Sequence, residues 1–342
     1  MTRVVALALT ALALLAAPAT AGDTFEMIKK RGEVRCGVSD AVPGMSMRGP
    51  GGAWQGMEID FARAVAAAVL GDPARASFLP LETAGRFPAL LSKQVELLGR
   101  NTSWTLGREA RLRVSFAGPL LFTVQAVMTR KADGVKDVEG LDGAKLCISK
   151  GTTHAQGLDD LSVMHKVKFE PVLCESTEKA RDLFLQGQCK ALTADRIVLA
   201  GFLSQLGEKA VEYEIFAVPG TAEIISPVVR ADDNEWRLAV SGVLAALVHA
   251  EAAKLTREQA SALLKGGAQA QPGDAARKLL RDADGLAKPL GLAPGWALRA
   301  IAAAGNIGEM FERNVGSASR LKFDRRYNRP WYEGGLMYAP PF

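Results

Sequence analysis

Short apolar runs alternate along the chain with segments in which apolar residues recur every three or four positions. The run GEVRCGV is typical of a strand, and DFARAVAAAVLGDP places Phe61, Val65 and Val69 on one face of a helix that ends near Gly71. The segments ASFLPL, GRFPALLSKQ and VELLG then predict a strand, a helix and a strand. This alternation predicts a parallel sheet covered by helices.

The same order of elements returns after the extended stretch FAGPLLFTVQAVMTR. KLCISK, VKFEPVLC and CKALTAD predict strands, GTTHAQGLDDLSVMHK predicts a helix, and STEKARDLFLQGQ predicts a second helix from the N-cap Ser176 to a stop at Gly187. The chain therefore holds two α/β units, at about 30–125 and 135–215, without a sequence repeat between them. A strand AEIISPVVR, a helix NEWRLAVSGVLAALVHAE and a mostly helical tail follow.

The N-terminal residues have the three parts of a secretory signal peptide. Arg3 precedes an apolar run from Val4 to Ala17, and the triplet ATA ends at Ala21, after which we expect cleavage. The alternative is a membrane anchor, but the run is shorter than the roughly 20 residues that span a bilayer. We therefore expect export with cleavage of the leader and a soluble mature protein.

Composition excludes several classes of function. The chain has 42 Lys and Arg against 37 Asp and Glu, a formal charge of +5, and the basic residues are scattered among acidic ones, which does not favour a nucleic-acid partner. None of the 4 cysteines forms a CxxC element and the 3 histidines lie far apart, so a metal site is not expected. The chain also lacks GxSxG, HExxH, Walker and in-register GxGxxG motifs, so no motif indicates an enzyme.

Three predicted strands end in polar loops, where open parallel sheets bind ligands. The guanidinium of Arg108 suits a carboxylate, and Gly151, Thr152 and Thr153 open a helix whose free N–H groups suit an anion. Asp195, at the third strand end, suits a cation. Together the loops predict a site for a small zwitterion, although each loop alone is also explained by a solvated charge or a helix cap.

Two other side chains in these loops have open interpretations. Trp104 either stacks on a ligand or fills the side of its loop. His154 is either a ligand contact, a surface residue or, less expectedly, a general base.

The segments that carry a family resemblance are spread over almost the whole chain. They are RGEVRCGV, WQGMEIDFARAVAAAVLGDP, RFPALLSKQVELLGRNTSWTLGRE, LDGAKLCISKGTT and AGNIGEMFERNVGSASRLKFDRRYNRPWYEGGLMYAPPF, from about Thr24 to Phe342. In these segments the chain resembles the periplasmic solute-binding proteins of polar amino-acid ABC transporters, specifically the long general L-amino-acid-binding type of the bacterial extracellular solute-binding family 3.

The resemblance implies an α/β protein with the two-lobed type II periplasmic-binding-protein (Venus-flytrap) fold. Each lobe would be a mainly parallel sheet flanked by helices, and a helical C-terminal extension would follow. The implied division is a signal peptide at 1–21, the first part of lobe one at 22–128, lobe two at 129–222, and the return to lobe one with the extension at 223–342. The two hinge segments would lie at about 128–133 and 218–226.

The resemblance also implies which lobe-one residues bind the ligand. Arg108, with the backbone and hydroxyl of Ser103, would bind the α-carboxylate of an amino acid. The carbonyl of Asn101 would accept a hydrogen bond from the ammonium group.

From lobe two, Thr152 and Thr153 would meet the carboxylate, and Asp195 would pair with the ammonium. The implied function is that of a monomeric periplasmic component that captures L-amino acids by hinge closure and delivers them to the ABC permease subunits of the inner membrane, without a cofactor. One alternative is an enzyme on the same fold, similar to cyclohexadienyl or arogenate dehydratases, with Glu96, Glu223 and His154 as candidate catalytic groups. The other alternative is a ligand receptor for a sensor.

The side-chain pocket departs from the pattern of the family. Met45 stands where an aromatic residue is usual, and Arg196 replaces a neutral amide. The expected pocket residues are Met45, Trp104, Lys150, His154 and Arg196. Because Lys150 and Arg196 are both cationic, we expect a preference for acidic or amide amino acids.

The strands that contain Cys147 and Cys189 are expected to be neighbours in lobe two, so a disulfide between these residues is predicted. Ala62 occupies the helix position where the family usually has a cysteine, which leaves Cys36 without its usual partner. We expect Cys36 and Cys174 to be free and buried.

Overall fold

Two five-stranded sheets, joined by a short two-stranded one, form the framework of the protein. The computed structural model describes residues 23–266 and 271–342, so the predicted signal peptide lies outside the described residues. The strands are β1 (Val34–Val38), β2 (Ala41–Val42), β3 (Ser46–Arg48), β4 (Trp54–Gln55), β5 (Ala76–Pro80), β6 (Leu97–Gly99), β7 (Val114–Phe116), β8 (Leu121–Thr123), β9 (Gln125–Arg130), β10 (Lys145–Ser149), β11 (Glu170–Cys174), β12 (Ala191–Asp195), β13 (Tyr213–Ala217), β14 (Glu223–Ile225) and β15 (Val228–Arg230). The helices are α1 (Asp23–Arg31), α2 (Met57–Leu70), α3 (Arg86–Leu91), α4 (Leu106–Leu112), α5 (Thr153–Gln156), α6 (Leu158–His165), α7 (Thr177–Leu185), α8 (Arg196–Gln205), α9 (Asn234–Ala252), α10 (Arg257–Leu264), α11 (Asp274–Gly285), α12 (Trp296–Ala304) and α13 (Ile307–Asn314).

The first sheet has the strand order β5-β1-β6-β15-β7 and belongs to lobe one. Strand β1 is parallel to β5 and β6, as the alternation of elements predicts, and β15 returns antiparallel to β6 and β7. Helix α2 covers this sheet with a buried face that includes Phe61 and Val65. It ends at Gly71, which has a φ of 77° and donates its N–H to the carbonyl of Ala67. The predicted helix and its glycine stop are confirmed.

The second sheet has the order β11-β10-β12-β9-β13 and belongs to lobe two. Strand β10 is parallel to both of its neighbours, β11 and β12. This neighbourhood brings Cys147 and Cys189 together in a disulfide with a Cα–Cα distance of 5.7 Å. Cys36 and Cys174 are free and buried. The predicted pairing of the cysteines is confirmed.

The chain crosses between the lobes at β8 and β14, which pair antiparallel with Leu121 opposite Ile225. The second crossover therefore lies within the predicted segment 218–226. The first was expected at 128–133, and this position is wrong, because those residues form the end of β9, which pairs with β12 and β13 inside the second sheet, and the turn that follows it. The stretch FTVQAVMTR is extended throughout, and its pattern does not mark where the chain changes sheets.

The C-terminal extension packs on lobe one and reaches the hinge. Helix α12 contacts both α2 and α9, and helices α10, α11 and α13 surround this group. Beyond α13 the chain has only short 3₁₀ turns, so the last part of the tail is less helical than the pattern predicts. Its buried Asn328 accepts a hydrogen bond from the N–H of Phe122 at 2.7 Å and donates one to the carbonyl of Phe122 at 2.9 Å. The tail thereby pairs the backbone N–H and carbonyl of Phe122 on the free edge of the crossover strand β8.

Among the described residues, no single helix is both long and apolar enough to cross a membrane, although α9 and α10, bent by 109° at their junction, pass that test as a pair.

Candidate functional site

A cavity between the lobes collects residues from the carboxyl ends of the strands of both sheets. Arg100 and Asn101 follow β6, Ser149 ends β10, and Asp195 ends β12. The cavity measures about 20 Å³, a space that suits about one water molecule. The lobes are therefore closed in this structure, and an amino acid can enter only when they separate.

Arg108 is buried between the lobes, with 4% of its surface exposed. Thr105 caps helix α4 by accepting the backbone N–H of Arg108, which fixes where the side chain leaves the helix. The guanidinium donates from Nη1 to the carbonyl of Ser103 at 2.7 Å and from Nη2 to the carbonyl of Gly151 at 3.1 Å. Burial lowers the pKa of Arg108, while Glu223 and Asp195 oppose this shift. Its fork thus spans the gap from lobe one to lobe two.

The loop after β6 has a strained turn at Asn101, whose φ is 43°. The carboxylate of Glu58 accepts the backbone N–H of Asn101 at 2.6 Å and the hydroxyl of Ser46 at 3.0 Å. Next to it, Ser103 forms a β-bridge with Ile225 of β14. These contacts hold the loop rigidly against the crossover.

On lobe two, the helix that begins after β10 presents its capped end to the cavity. Thr152 Oγ1 accepts the N–H of Ala155 at 3.1 Å and donates to the carbonyl of Ser149 at 2.7 Å. Its hydroxyl is therefore used by the helix cap. The hydroxyl of Thr153 donates to Glu223 at 2.8 Å. In this closed state both hydroxyls are committed to protein groups.

Asp195 and His154, both buried, form a cluster with the partly exposed Glu223 beside Arg108. The Nε2 atom of His154 lies 3.8 Å from Asp195 and 3.7 Å from Glu223. Burial lowers the pKa of His154 to about 4, so the imidazole is neutral at ordinary pH. Burial, followed by the nearby charge of Glu223, raises the pKa of Asp195 well above its usual value. This side of the cavity is rich in carboxyl groups and suits a cationic group.

Several polar atoms at the cavity are buried and have no hydrogen-bond partner within the described residues. They are Oδ1 and Nδ2 of Asn101, Oγ of Ser149, Nε2 of His154 and Oδ1 of Asp195. An unsatisfied buried polar atom costs about 1–3 kcal/mol, and such atoms are rare in native structures. Their concentration around one cavity is the arrangement expected of a polar ligand site.

Two of the predicted pocket residues serve packing instead. Met45 is fully buried in the hydrophobic core and does not line the cavity. Trp104 stacks on Phe116 at 5.8 Å and donates its indole N–H to Glu109 at 3.2 Å. These contacts favour the interpretation that Trp104 fills its own loop.

The two predicted pocket cations also lie away from the cavity. Lys150 is exposed and pairs with Glu175 at 2.6 Å. The guanidinium of Arg196 lies over the ring of Phe323 in the C-terminal tail, 5.4 Å from its centroid. Both residues come directly after a strand, as some of the residues that line the cavity do. Their side chains, however, contact Glu175 and Phe323, which lie outside the cavity. The charge argument for an acidic or amide ligand therefore cannot rest on these two residues.

The structure brings four charged residues to the lobe interface that were not predicted as ligand contacts. They are Arg86, Arg100, Glu178 and Glu223, of which only Glu223 was considered, as a catalytic candidate. Arg86 is 1% exposed and donates to the carbonyl of Gly151 at 3.0 Å, beside Arg108. Arg86 and Glu178 follow β5 and β11, so applying the strand-end rule to all the parallel strands would have found both.

Comparison with known proteins agrees with this geometry. The family model "Bacterial extracellular solute-binding proteins, family 3" matches residues 34–258. A putative amino-acid ABC transporter-binding protein of Escherichia coli is 35% identical over 334 residues, covering 98% of this chain and 96% of that protein. A glutamate/glutamine/aspartate/asparagine-binding protein of Rhodobacter capsulatus is 36% identical over 334 residues, with 97% of each chain covered.

A solved structure extends the agreement to three dimensions. The periplasmic binding protein of Brucella ovis, determined with glutathione bound, is 34% identical with a TM-score of 0.85, and the match covers 94% of this chain and 99% of that one. The type II periplasmic-binding-protein fold, expected from the resemblance, is confirmed.

Proposed function

The chain belongs to the bacterial extracellular solute-binding proteins of family 3, and on that premise we propose that it is the periplasmic substrate-binding component of an amino-acid ABC transporter. The observation that carries the proposal is a cationic fork placed beside a cluster of carboxyl groups in the closed cleft. Arg108 offers the fork for a carboxylate, and the carboxyl groups of Asp195 and Glu223, which lie 3.8 and 3.7 Å from Nε2 of His154, offer acceptors for an ammonium group. The relatives from Escherichia coli and Rhodobacter capsulatus support amino acids as the ligand class.

In this proposal each lobe supplies part of the recognition of the amino-acid backbone. Arg108 binds the α-carboxylate together with the backbone of Ser103, and Asp195 binds the ammonium together with the side-chain oxygen of Asn101. The buried unpartnered oxygens of Asn101 and Asp195 support this assignment. Thr152 and Thr153 contribute the N-terminal end of helix α5, whose dipole favours an anion. Lobe two is the segment between the crossovers, from Gln125 to about Val218.

Binding without catalysis is the role that the charged groups favour. Glu96, one of the three catalytic candidates, is fully buried and is held by Arg31 and Arg35 at 2.7 Å each, at the opposite end of β6 from the cavity. His154 and Glu223 remain at the site, but they surround the proposed ammonium position. We therefore assign no turnover to the cleft.

The protein would act in the periplasm as a monomer that delivers its ligand to the permease subunits. The predicted leader ending at Ala21 supports export. The family resemblance supports partnership with a permease, and the sensor alternative would require a different membrane partner for the same closed form.

The test is isothermal titration of the mature protein against the twenty L-amino acids, after unfolding and refolding to remove bound ligand. Arg108→Ala should weaken binding about 30- to 150-fold, because each of its two bonds to the ligand carboxylate exceeds the carbonyl bond that it replaces by about 1–1.5 kcal/mol. Arg111→Ala is the matched control, since Arg111 is exposed on the same helix. Equal affinities of the wild-type and Arg108→Ala proteins, or turnover of an arogenate-like substrate, would contradict the proposal.

A further inference from the structure

An ion pair crosses the cleft at the edge of the cavity. Nη2 of Arg100, from lobe one, lies 3.5 Å from Oε2 of Glu178, from lobe two. The two side chains are 3% and 15% exposed. Ser39 donates its hydroxyl to the other carboxylate oxygen of Glu178 at 2.7 Å. A positive donor and a negative acceptor therefore lie side by side next to the proposed amino-acid site.

Arg100 is fixed in place by hydrogen bonds but retains N–H groups that are free to donate. Its Nε donates to the carbonyl of Leu81 at 2.8 Å, and its Nη2 donates to the hydroxyl of Thr83 at 3.2 Å. Its Nη1 makes no hydrogen bond to the residues that the structure describes, and the side chain lines the cavity. A ligand group in the cavity can therefore accept a hydrogen bond from Arg100 without displacing its supports.

Glu178 is held in the ionised form. It lies in the first turn of helix α7, after the N-cap Ser176, where the helix dipole favours a negative charge. Burial raises its pKa, but Arg100 and the hydroxyl of Ser39 outweigh this effect, and the pKa is below its usual value. An ionised carboxylate can only accept hydrogen bonds.

The pair is electrically neutral as a whole and offers one donor and one acceptor. A carboxamide has the complementary groups, since its oxygen accepts and its NH₂ donates. A ligand carboxylate would have only acceptors and would be repelled by Glu178, while a ligand cation would be repelled by Arg100. We propose that Arg100 and Glu178 together recognise a carboxamide at the end of the ligand side chain, so that the preferred ligands are L-amino acids of the glutamine and asparagine type.

This inference rests on the proposed function. A carboxamide site can be distinguished from an ion pair that only joins the two lobes. A bridge would stabilise the closed state for every ligand. Its loss would therefore lower the affinities for glutamine and for glutamate by the same factor. A carboxamide site must instead change the ratio of the two affinities. Removing the charge of Glu178 should relieve the repulsion of glutamate and leave glutamine with a neutral acceptor.

The test is isothermal titration of glutamine and glutamate into the wild-type, Glu178→Gln and Glu175→Gln proteins. We expect the wild type to bind glutamine at least tenfold more tightly than glutamate, and Glu178→Gln to lower that ratio about tenfold or more. Glu175→Gln should keep the wild-type ratio, because Glu175 is 65% exposed and pairs with Lys150 on the surface. As a second variant, Arg100→Gln should raise the ratio, since the charge of Glu178 is then unopposed.

A wild-type preference for glutamate, or an unchanged ratio in Glu178→Gln and Arg100→Gln, would overturn the inference. If amino acids bind and Arg108→Ala weakens that binding as expected while the ratio stays fixed, only the carboxamide assignment fails. If none of the twenty amino acids binds, the proposed function fails, and this inference fails with it.

Discussion

Glu58 is a buried carboxyl group that holds the loop after β6, and its replacement by glutamine should change how stability depends on pH. The side chain is 2% exposed at the start of helix α2. It accepts the backbone N–H of Asn101 at 2.6 Å and the hydroxyl of Ser46 at 3.0 Å. Burial raises its pKa from 4.5 to about 7, although these hydrogen bonds oppose the shift.

The sign of the effect follows from the two pKa values. Below pH 4.5 the carboxyl is protonated in both the folded and the unfolded chain. Between pH 4.5 and about 7 the unfolded chain has released a proton that the folded chain still binds, so the free energy of unfolding falls as the pH rises. A difference of about 2.5 pH units at 1.36 kcal/mol per unit makes the loss about 3 kcal/mol, and it is complete above pH 7.

The measurement is urea unfolding at pH 4 and pH 8, with the disulfide intact, for the wild type and for Glu58→Gln. Glutamine cannot ionise, but its oxygen can still accept the N–H of Asn101. From pH 4 to pH 8 the free energy of unfolding of the wild type should fall by about 3 kcal/mol more than that of the variant. The other acidic groups contribute equally to the pH dependence of both proteins, so they do not affect this difference. Glu26→Gln, at an exposed position of helix α1, should follow the wild type. Parallel pH dependences of the wild type and Glu58→Gln would refute the reasoning.

Two further predictions concern the disulfide and the C-terminal tail. Reduction of the bond between Cys147 and Cys189, which are separated by 42 residues, should lower the free energy of unfolding by about 4 kcal/mol, measured by urea unfolding with and without dithiothreitol. Alkylation of the unfolded, unreduced protein should modify two of its four cysteines, and modification of all four would exclude the bond. Asn328→Ala should destabilise the protein by about 2–4 kcal/mol, because it leaves the N–H and carbonyl of Phe122 unpaired. An unchanged melting transition for this variant would show that the tail does not support the crossover strand.

The spacing of apolar residues predicted helices and strands well where one continuous pattern forms one helix or one strand. Helix α7 begins after its predicted cap, as Ser176 accepts the N–H of Lys179 at 3.1 Å. The segment GTTHAQGLDDLSVMHK was predicted as one helix, but it is split into α5 and α6 at Gly157, where the conformation leaves the helical region. Apolar spacing on either side of a glycine continues across such a break, so the spacing alone does not reveal it.

The site was predictable at the level of strand ends and not at the level of side-chain direction. The sequence places Lys150 and Arg196 directly beside cavity-lining residues, yet the partners of these two side chains, Glu175 and Phe323, are remote in sequence. Arg100 stands in the same kind of position and does line the cavity. Which strand-end cation faces the cleft is decided by tertiary partners, and local pattern contains no information about them.

The closed structure also sets a condition on how a ligand can drive closure. The carbonyl of Gly151 accepts from Arg86 at 3.0 Å and from Arg108 at 3.1 Å, so the lobes are joined by the same donors that a ligand carboxylate would use. A ligand gains only the difference between its bonds and those it replaces, and a charged acceptor exceeds a neutral one by about 1–1.5 kcal/mol per bond. Two such bonds supply about 2–3 kcal/mol, whereas a shift from mostly open to mostly closed needs about 5.5 kcal/mol. The remainder has to come from the ammonium pair with Asp195 and from the unpartnered atoms of Asn101, so the carboxylate anchor alone cannot close the protein.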